Sequence, residues 1–228
     1  MKRYTLLGLT GMLLLGLASA SASAETMTKP AAGVTKVVFK VVGEVLIRPG
    51  NEEKMVVEAE PKVLAQLDIS TKGDTMTLAS KGSIKTDKGI KFTLTIKSFH
   101  SFMHDGSGNV RIENFSGNDM EALAKGSGDI VLSNIKPGKL TLAIPGSGNI
   151  EASGSGKMLL AKIDGSGTIE AVKFKAQSAD VRIDGSGNIR VHADESLKAS
   201  ISGSGNIEYE GKAKVTKSIT GAGNIEPI

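Results

Sequence analysis

The chain has 228 residues with 28 Lys and Arg against 24 Asp and Glu, a formal charge of +4 that is too balanced for the clustered basic face of a nucleic-acid-binding protein. Cysteine is absent, which excludes disulfides, thiol nucleophiles, cysteine-ligated metal sites and a lipidated cysteine. Trp is also absent and aromatic residues make up 4%, so the chain has few platforms on which bases or sugars stack.

The N-terminus has the three parts of a cleaved export signal. It begins with basic residues, continues with an apolar core over residues 6–17, and ends with alternating small residues up to Ala24. The core is shorter than the ~20 residues that a membrane-spanning helix needs. We therefore predict a signal peptide over residues 1–24, with cleavage after Ala24 or, alternatively, after Ala20 or Ala22.

Residues 25–33 are predicted to form a polar linker, and residues 34–226 a single domain. The first part of this domain, residues 34–105, has short runs rich in β-branched residues between turns, which predicts irregular strands. We expect these strands to form wider first coils or a layer that caps the following repeat, with one helical turn over residues 61–66. The predicted strand segments are 37–42, 45–47, 55–57, 67–69, 75–78 and 92–96.

Residues 106–226 repeat a marker of the form Gly-Ser-Gly-Asn/Asp-Val/Ile. Its seven copies are spaced by 20, 20, 19, 20, 18 and 18 residues. They begin at Gly106, Gly126, Gly146, Gly165, Gly185, Gly203 and Gly221. Alternating apolar and polar residues adjoin most markers, and a period near 20 is typical of one coil of a β-solenoid. The sequence therefore predicts an all-β solenoid.

The markers predict corners between strands. Glycine is expected to supply positive φ, the Asn or Asp after it to form a ladder between coils, and the next Ile to point inward. Calcium binding is an alternative use of such corners, but calcium-binding β-rolls need a nine-residue period and an Asp in every loop. Asp129 is the only Asp at the polar position of the seven markers, so we predict structural corners without a metal or cofactor.

The pattern resembles a family of exported bacterial proteins. A strand-rich opening with Gly-Glu-Val-Leu-Ile at residues 43–47, followed by the serial markers, is similar to the putative auto-transporter adhesin head GIN domain family. The resemblance covers residues 34–225. It implies a right-handed parallel β-helix-like fold and an adhesin-like role, and it carries no catalytic residues onto this chain.

Three residues before the first marker stand out as candidate ligands. His100 and His104 are predicted to lie on one strand face with Phe102, about 13 Å apart, which is too far to share a metal. We interpret this segment, which ends at Asp105, as a first-coil strand that tolerates imidazole beside phenylalanine. Each coil is also predicted to turn at a looser second corner, as at residues 114–117, 135–138 and 153–156. His192 is predicted to lie alone and solvated at one of these second corners.

The outward strand positions offer an alternative, a polysaccharide-acting enzyme of lyase or glycoside hydrolase type. Such enzymes use clustered carboxylates, and Glu151 and Glu170 are predicted to stack in successive coils. Arg190 and Glu208 are predicted to share this column, however, which is typical of a mixed solvated face. The outward charged positions are Arg111, Glu151, Glu170, Asp180, Arg182, Arg190 and Glu208.

We therefore predict a non-catalytic exported protein with no catalytic, cofactor or metal site. Its extended polar surface is expected to bind an envelope protein or a polysaccharide, or another copy of itself. No nucleic acid partner and no stable membrane anchor are expected. The predicted location is the periplasm, with secretion or the cell surface as the alternative.

Overall fold

The computed structural model describes residues 24–228 and is all-β, with 69% strand and 2% helix. The alternating runs explain this content, because a period of two places every second side chain on one face of a strand. The N-terminal part contains β1 (Glu25–Pro30), β2 (Lys36–Phe39), β3 (Val42–Pro49), β4 (Lys54–Ala59), α1 (Pro61–Leu64), β5 (Leu67–Lys72), β6 (Thr75–Ser80), β7 (Lys91–Ile96) and β8 (Ser101–His104). The repeat contains β9 (Ser107–Glu113), β10 (Ser116–Ala124), β11 (Asp129–Ile144), β12 (Asn149–Ile163), β13 (Thr168–Ile183), β14 (Asn188–Gly203), β15 (Asn206–Glu210), β16 (Lys214–Gly221) and β17 (Asn224–Pro227).

The repeat winds as a β-solenoid of about 6 turns with ~20-residue coils, which confirms the predicted fold. Strands of successive coils pair in parallel and in register. Ile130 of β11 pairs with Ile150 of β12, and Ile150 pairs with Ile169 of β13. The same register continues to Ile189 of β14 and Ile207 of β15. Each marker therefore lies directly against the marker of the preceding coil.

The core runs along the solenoid axis. The Val or Ile after the polar marker residue is buried in every coil, and the most exposed of these residues, Ile225, is only 7% exposed. The strands that precede the markers add a second buried column in which Ile144, Ile163, Ile183 and Ile201 stack on one another. Burial of such a side chain contributes roughly 1.5–3 kcal/mol. Packing alone can therefore hold this cysteine-free chain together.

The N-terminal strands continue the stack in an interleaved order. β2 lies between β6 and β8, and β3 lies between β7 and β9, with all four pairings parallel. The chain thus forms β2 and β3 first and then adds β6 and β7 on the side away from the repeat. It next adds β8 and β9 on the opposite side, where the repeat begins. These are the wider first coils that the sequence predicts.

An antiparallel layer covers this end of the solenoid. β4 pairs with β7 and β1 pairs with β4, while β5 pairs with β6. The single turn α1 connects β4 to β5 and buries Val63 completely. The change from parallel to antiparallel pairing lets short connections close the end. The predicted capping layer and the predicted helical turn are both confirmed.

The prediction of a linker over residues 25–33 is wrong for its first six residues. Glu25–Pro30 form β1, which pairs along its whole length with β4, from Glu25 with Ala59 to Pro30 with Lys54. An edge strand needs no fully buried face, so β1 can be polar and lacks the hydrophobic alternation by which strands are predicted. The predicted signal peptide lies outside the described residues except for Ala24. Among residues 24–228, no helix is long and apolar enough to cross a membrane.

Most marker glycines are required for a physical reason other than the predicted positive φ. Of the fourteen, only Gly108 and Gly221 have positive φ, at 129° and 134°. A Cβ at Gly187 would instead overlap the carbonyl oxygen of Gly167 in the preceding coil and lie 2.8 Å from Cγ2 of Ile163. The glycines therefore allow neighbouring corners to stack in close contact.

Positive φ occurs at the second corner of two early coils. Asn114 and Asn134 have φ of 63° and 52°, a region that Asn tolerates better than most residues. The side-chain amide of Asn134 donates to Oδ1 of Asn114 at 2.8 Å. The second corner thus has a short amide stack of its own.

Candidate functional site

The polar residues after the marker glycines form a ladder along one edge of the solenoid. The amide ladder consists of Asn109, Asp129, Asn149, Thr168, Asn188, Asn206 and Asn224. Nδ2 of Asn149 donates to Oδ1 of Asp129 at 2.9 Å, and both the backbone N–H and Nδ2 of Asn206 donate to Asn188 Oδ1 at 3.2 Å. These bonds confirm the predicted ladder.

The hydrogen bonds of the ladder leave few oxygen ligands for a metal ion at the corners. Oδ1 of Asp129 accepts two hydrogen bonds from Asn149, so the one acidic marker residue already serves the contact between coils. Within residues 24–228, no group of three or more His, Asp or Glu side chains is placed to hold a metal ion. The ladder is interrupted at Thr168, where Asn188 donates its backbone N–H to the carbonyl of Gly167 instead.

A column of charged residues follows the outward face of the strands after the markers. We call it the ion column; it consists of Arg111, the uncharged Val131, Glu151, Glu170, Arg190, Glu208 and Glu226. Glu151 pairs in register with Glu170, and Arg190 lies between Glu170 and Glu208, as the spacing predicts. The column continues into the N-terminal coils through Leu46 and Thr93.

Three carboxylates of the ion column, those of Glu151, Glu170 and Glu208, form ion pairs with cations. Nη1 of Arg190 lies 2.9 Å from Glu170 and its Nε lies 2.8 Å from Glu208, while Lys173 lies 3.2 Å from Glu151. Hydrogen bonding to Glu170, supported by its charge and by Glu208, raises the pKa of Arg190. The stacked pair Glu151 and Glu170 is therefore two ion pairs rather than an isolated carboxylate dyad.

Replacing Arg190 with Met tests this arrangement. The substitution removes the cation between Glu170 and Glu208, so we expect a small fall in melting temperature that shrinks in high salt, because exposed ion pairs are screened. Thermal melts at low and high ionic strength measure it. Lys198→Met, which removes a single pair with Asp180 at 3.5 Å, is the control. An Arg190→Met effect that ignores salt would contradict an electrostatic role.

The strands before the markers carry a second charged group. Arg182 contacts Asp184 through Nε at 2.8 Å and Nη2 at 2.7 Å, and Lys162 lies 2.7 Å from Asp164 and 3.5 Å from Asp184. Hydrogen bonding to Arg182 lowers the pKa of Asp184, although partial burial opposes the change. The outward residue Asp180 contacts Lys198. These residues also form ion pairs across coils and leave no free carboxylate pair.

The predicted common face of His100 and His104 is wrong for His100. β8 begins at Ser101, so His100 and Asp105 lie outside the strand and are exposed, whereas His104 is fully buried. The imidazole of His104 lies 5.3 Å from the Phe39 ring and 6.3 Å from the Phe102 ring, centroid to centroid. The interpretation as a strand with imidazole beside phenylalanine is confirmed for His104.

The prediction that His192 lies alone is also wrong. Lys175 donates from Nζ to Nδ1 of His192 at 3.0 Å, so the ring proton belongs on Nε2, which contacts Asp194 at 2.9 Å. Glu210 lies 3.7 Å from Nδ1, and the side chain is only 14% exposed. Asp194 lies on β14 itself, whereas Lys175 comes from β13 and Glu210 from β15, which stack on either side of β14. Sequence spacing does not reveal these two partners because the second corners vary in length.

Lys217 occupies a position that sequence reasoning missed. It pairs in register with the buried Ala199, so its side chain starts from an inward position of the last coil. Its Nζ donates to the carbonyl oxygen of Ile225 at 2.8 Å and lies 5.0 Å from the centroid of the Tyr209 ring. An inward cation at this place discourages further strand pairing.

Within residues 24–228, none of the five main depressions contains a pair of carboxylates without cation partners. The one along the ion column, about 430 Å³, surrounds Leu46, Thr93, Arg111 and Val131, and its only carboxylate is Glu44. Most of the residues that sequence reasoning singled out thus serve stacking and ion pairing, whereas no ion pair holds Arg111, His100 or Asp105 in the described structure. Their arrangement is an ordered polar surface.

The comparison with protein families identifies the chain's relatives. A family model described as putative auto-transporter adhesin, head GIN domain, matches residues 35–213, which is most of the chain. The chain belongs to this family. The predicted resemblance is therefore confirmed, and the solenoid is the fold of this head GIN domain.

Solved structures share the head GIN fold of this chain. An adhesin-type protein from Bacteroides fragilis NCTC 9343 superposes with a TM-score of 0.87 at 24% identity, covering 91% of this chain and 98% of that one. A protein from Parabacteroides distasonis ATCC 8503, described as a putative lipid binding protein, gives 0.74 at 24% identity with the same coverage. A putative adhesin from Parabacteroides merdae ATCC 43184 gives 0.70 at 19% identity, covering 91% and 97%. No curated protein matches the chain.

Proposed function

We propose that this head GIN domain is a non-catalytic exported protein that presents an extended polar surface to a partner in the cell envelope. One observation carries the proposal: the outward charges form ordered columns of ion pairs along the solenoid, as with Glu170, Arg190 and Glu208. Such columns fix many side chains over a long surface without enclosing a substrate.

Membership of the adhesin family supports the same proposal. Hydrolysis of a glycosidic bond needs a carboxylate free to exchange a proton with the substrate. The stacked carboxylates at Glu151 and Glu170 are instead bound to Lys173 and Arg190. This geometry favours binding over the alternative of a polysaccharide-acting enzyme.

The proposed location is the periplasm, with secretion or surface display as the alternative. The sequence supports export through its predicted signal peptide, and cleavage after Ala24 would place Glu25, the first residue of β1, at the new N-terminus. Cell fractionation beside a periplasmic marker tests the location. Mature protein that added protease digests on intact cells would contradict the periplasm.

Binding of the mature chain to a polysaccharide array, together with pull-down from envelope extracts, tests the function. We expect saturable binding to at least one envelope component and no change in the polysaccharide itself. Steady release of shortened or unsaturated sugar products by the purified protein would contradict a non-catalytic role.

A further inference from the structure

A cationic depression lies over the second corners of β11, β12 and β13. It has a volume of about 430 Å³ and contains no Asp or Glu. We call it the lysine groove; its lining consists of Lys136, Pro137, Gly138, Ser155, Gly156, Lys157, Lys175 and Gln177. Neither the ion column nor the amide ladder includes any of these residues.

Strand register sets the spacing of the three lysines. Ser155 pairs with Lys175, and Lys136 follows Ile135, which pairs with Gly154, so Lys136 and Lys175 lie on either side of Ser155. The backbones of Lys136 and Lys175 are therefore two coils, or about 10 Å, apart. Lys157 lies two residues along the strand from Ser155, a displacement of about 7 Å.

The charge of the lysine groove is largely uncompensated. Within the described part of the chain, neither Lys136 nor Lys157 has a carboxylate within salt-bridge distance, unlike their neighbours Lys139 and Lys173. Lys175 is held by His192 at 3.0 Å and by Glu210 at 3.8 Å, so its ammonium group is positioned at the rim. Ammonium groups without carboxylate partners attract anions.

Neutral residues lie between the lysines of the groove. A Cβ at Gly156 would lie 2.7 Å from the carbonyl oxygen of Pro137 and 2.7 Å from the buried Phe174 ring, so this residue faces the core and packing there requires glycine. The exposed Ser155 hydroxyl and Gln177 amide offer hydrogen bonds to a ligand between the lysines.

We propose that the lysine groove binds an anionic polysaccharide, a chain of sugars with repeated carboxylate, sulfate or phosphate groups. The three lysines belong to three successive coils, so a polymer that follows the solenoid axis contacts them in turn and gains more charge pairs than a single small anion. All six Phe are buried and none lines the groove, so base stacking cannot support a nucleic acid there. The exposed large apolar side chains, Val42, Ile219 and Ile228, lie outside the groove, which disfavours a lipid surface.

This inference rests on the proposed binding function and names its ligand class. The test measures binding of the mature chain to immobilised polygalacturonate, heparin and neutral dextran, and to vesicles of anionic phospholipid. The variant Lys136→Glu/Lys157→Glu is compared with Lys40→Glu/Lys125→Glu, two exposed lysines without ion pairs that lie outside the groove. Both variants change the net charge equally, and circular dichroism verifies their fold.

We expect wild type to bind at least one polyanion and not dextran, with binding weakened by salt. The groove variant should lose roughly tenfold in affinity and the control variant less than about twofold, because only the former removes contacts. Equal losses in both variants, or binding to vesicles but to neither polyanion, would overturn the inference. Absence of polyanion binding would also overturn the inference. Saturable binding to an envelope partner that the groove variant does not weaken would leave the proposed function standing.

Discussion

Gly187→Val is expected to lower the free energy of unfolding by about 3 kcal/mol, since overpacking against backbone cannot be relieved by a side-chain rotation. The new Cβ would overlap the carbonyl oxygen of Gly167 and lie 2.8 Å from Ile163. Relief requires separation of two coils, which also disturbs the pairing of Ile169 with Ile189. Chemical denaturation of the mature protein, followed by circular dichroism, measures the change.

Gly82→Val is the matched control for Gly187→Val. A Cβ at Gly82 meets no atom within 4 Å, so the same substitution should change stability by less than about 0.5 kcal/mol. Asn188→Ala should give a smaller loss than Gly187→Val, because it removes an exposed hydrogen-bond acceptor for Asn206 and creates no overlap. Equal midpoints for Gly187→Val and Gly82→Val would remove the stacking explanation of the markers.

The repeat is the part of the fold that the sequence predicts well. The marker spacing and the alternation beside it specify parallel coils, because equivalent residues in a solenoid must stack in register. The inward Ile, the amide ladder and the mixed ion column all follow from that register. The reason for the glycines does not follow, since close backbone contact and positive φ both favour glycine in a sequence.

The N-terminal coils and the local clusters are harder to predict. The interleaving of β2 and β3 depends on which strands pair over long sequence separations, and a hydrophobic pattern contains no such information. The lysine groove and the contacts of His192 arise where second corners of different lengths stack, so sequence spacing does not align their residues. The inward position of Lys217 becomes visible only when it is paired with Ala199.

The folded protein is expected to lose stability as the pH falls below 6.5, and His104 is expected to cause this loss. Burial among Phe39, Phe102 and Gly128 lowers the pKa of His104 below its usual 6.5, despite the opposing effects of the backbone of Gly108 and of His104 itself and of the charges of Asp129 and Asp105. In the described structure neither of its ring nitrogens makes a hydrogen bond of good geometry, although the backbone of Gly108 and of His104 itself lies near enough to favour the charged ring. The buried imidazole therefore stays neutral at a pH at which the unfolded chain has already bound a proton.

Proton uptake by the unfolded state alone lowers the unfolding free energy by up to about 1.4 kcal/mol per pH unit, between pH 6.5 and the lowered pKa of His104. Above pH 6.5 both states are neutral and the effect vanishes. Carboxylates such as Asp184, whose ordinary pKa is 3.8 and is lowered further by Arg182, act only at more acidic pH. Denaturation at pH 7.5, 6.5, 5.5 and 5.0 separates the two ranges.

His104→Leu is expected to abolish this dependence while keeping or raising stability at pH 7.5. Leucine fills a similar volume in a buried column whose members two to five coils further on are Ile144, Ile163, Ile183 and Ile201, and it removes two unsatisfied nitrogens. His100→Leu, at an exposed position, is the control and should retain the wild-type slope. If wild type and His104→Leu lose stability in parallel between pH 6.5 and 5.0, the buried imidazole is not the group that titrates. The loss would then have to come from charged groups at the surface, and a salt dependence of the slope would distinguish that origin from burial.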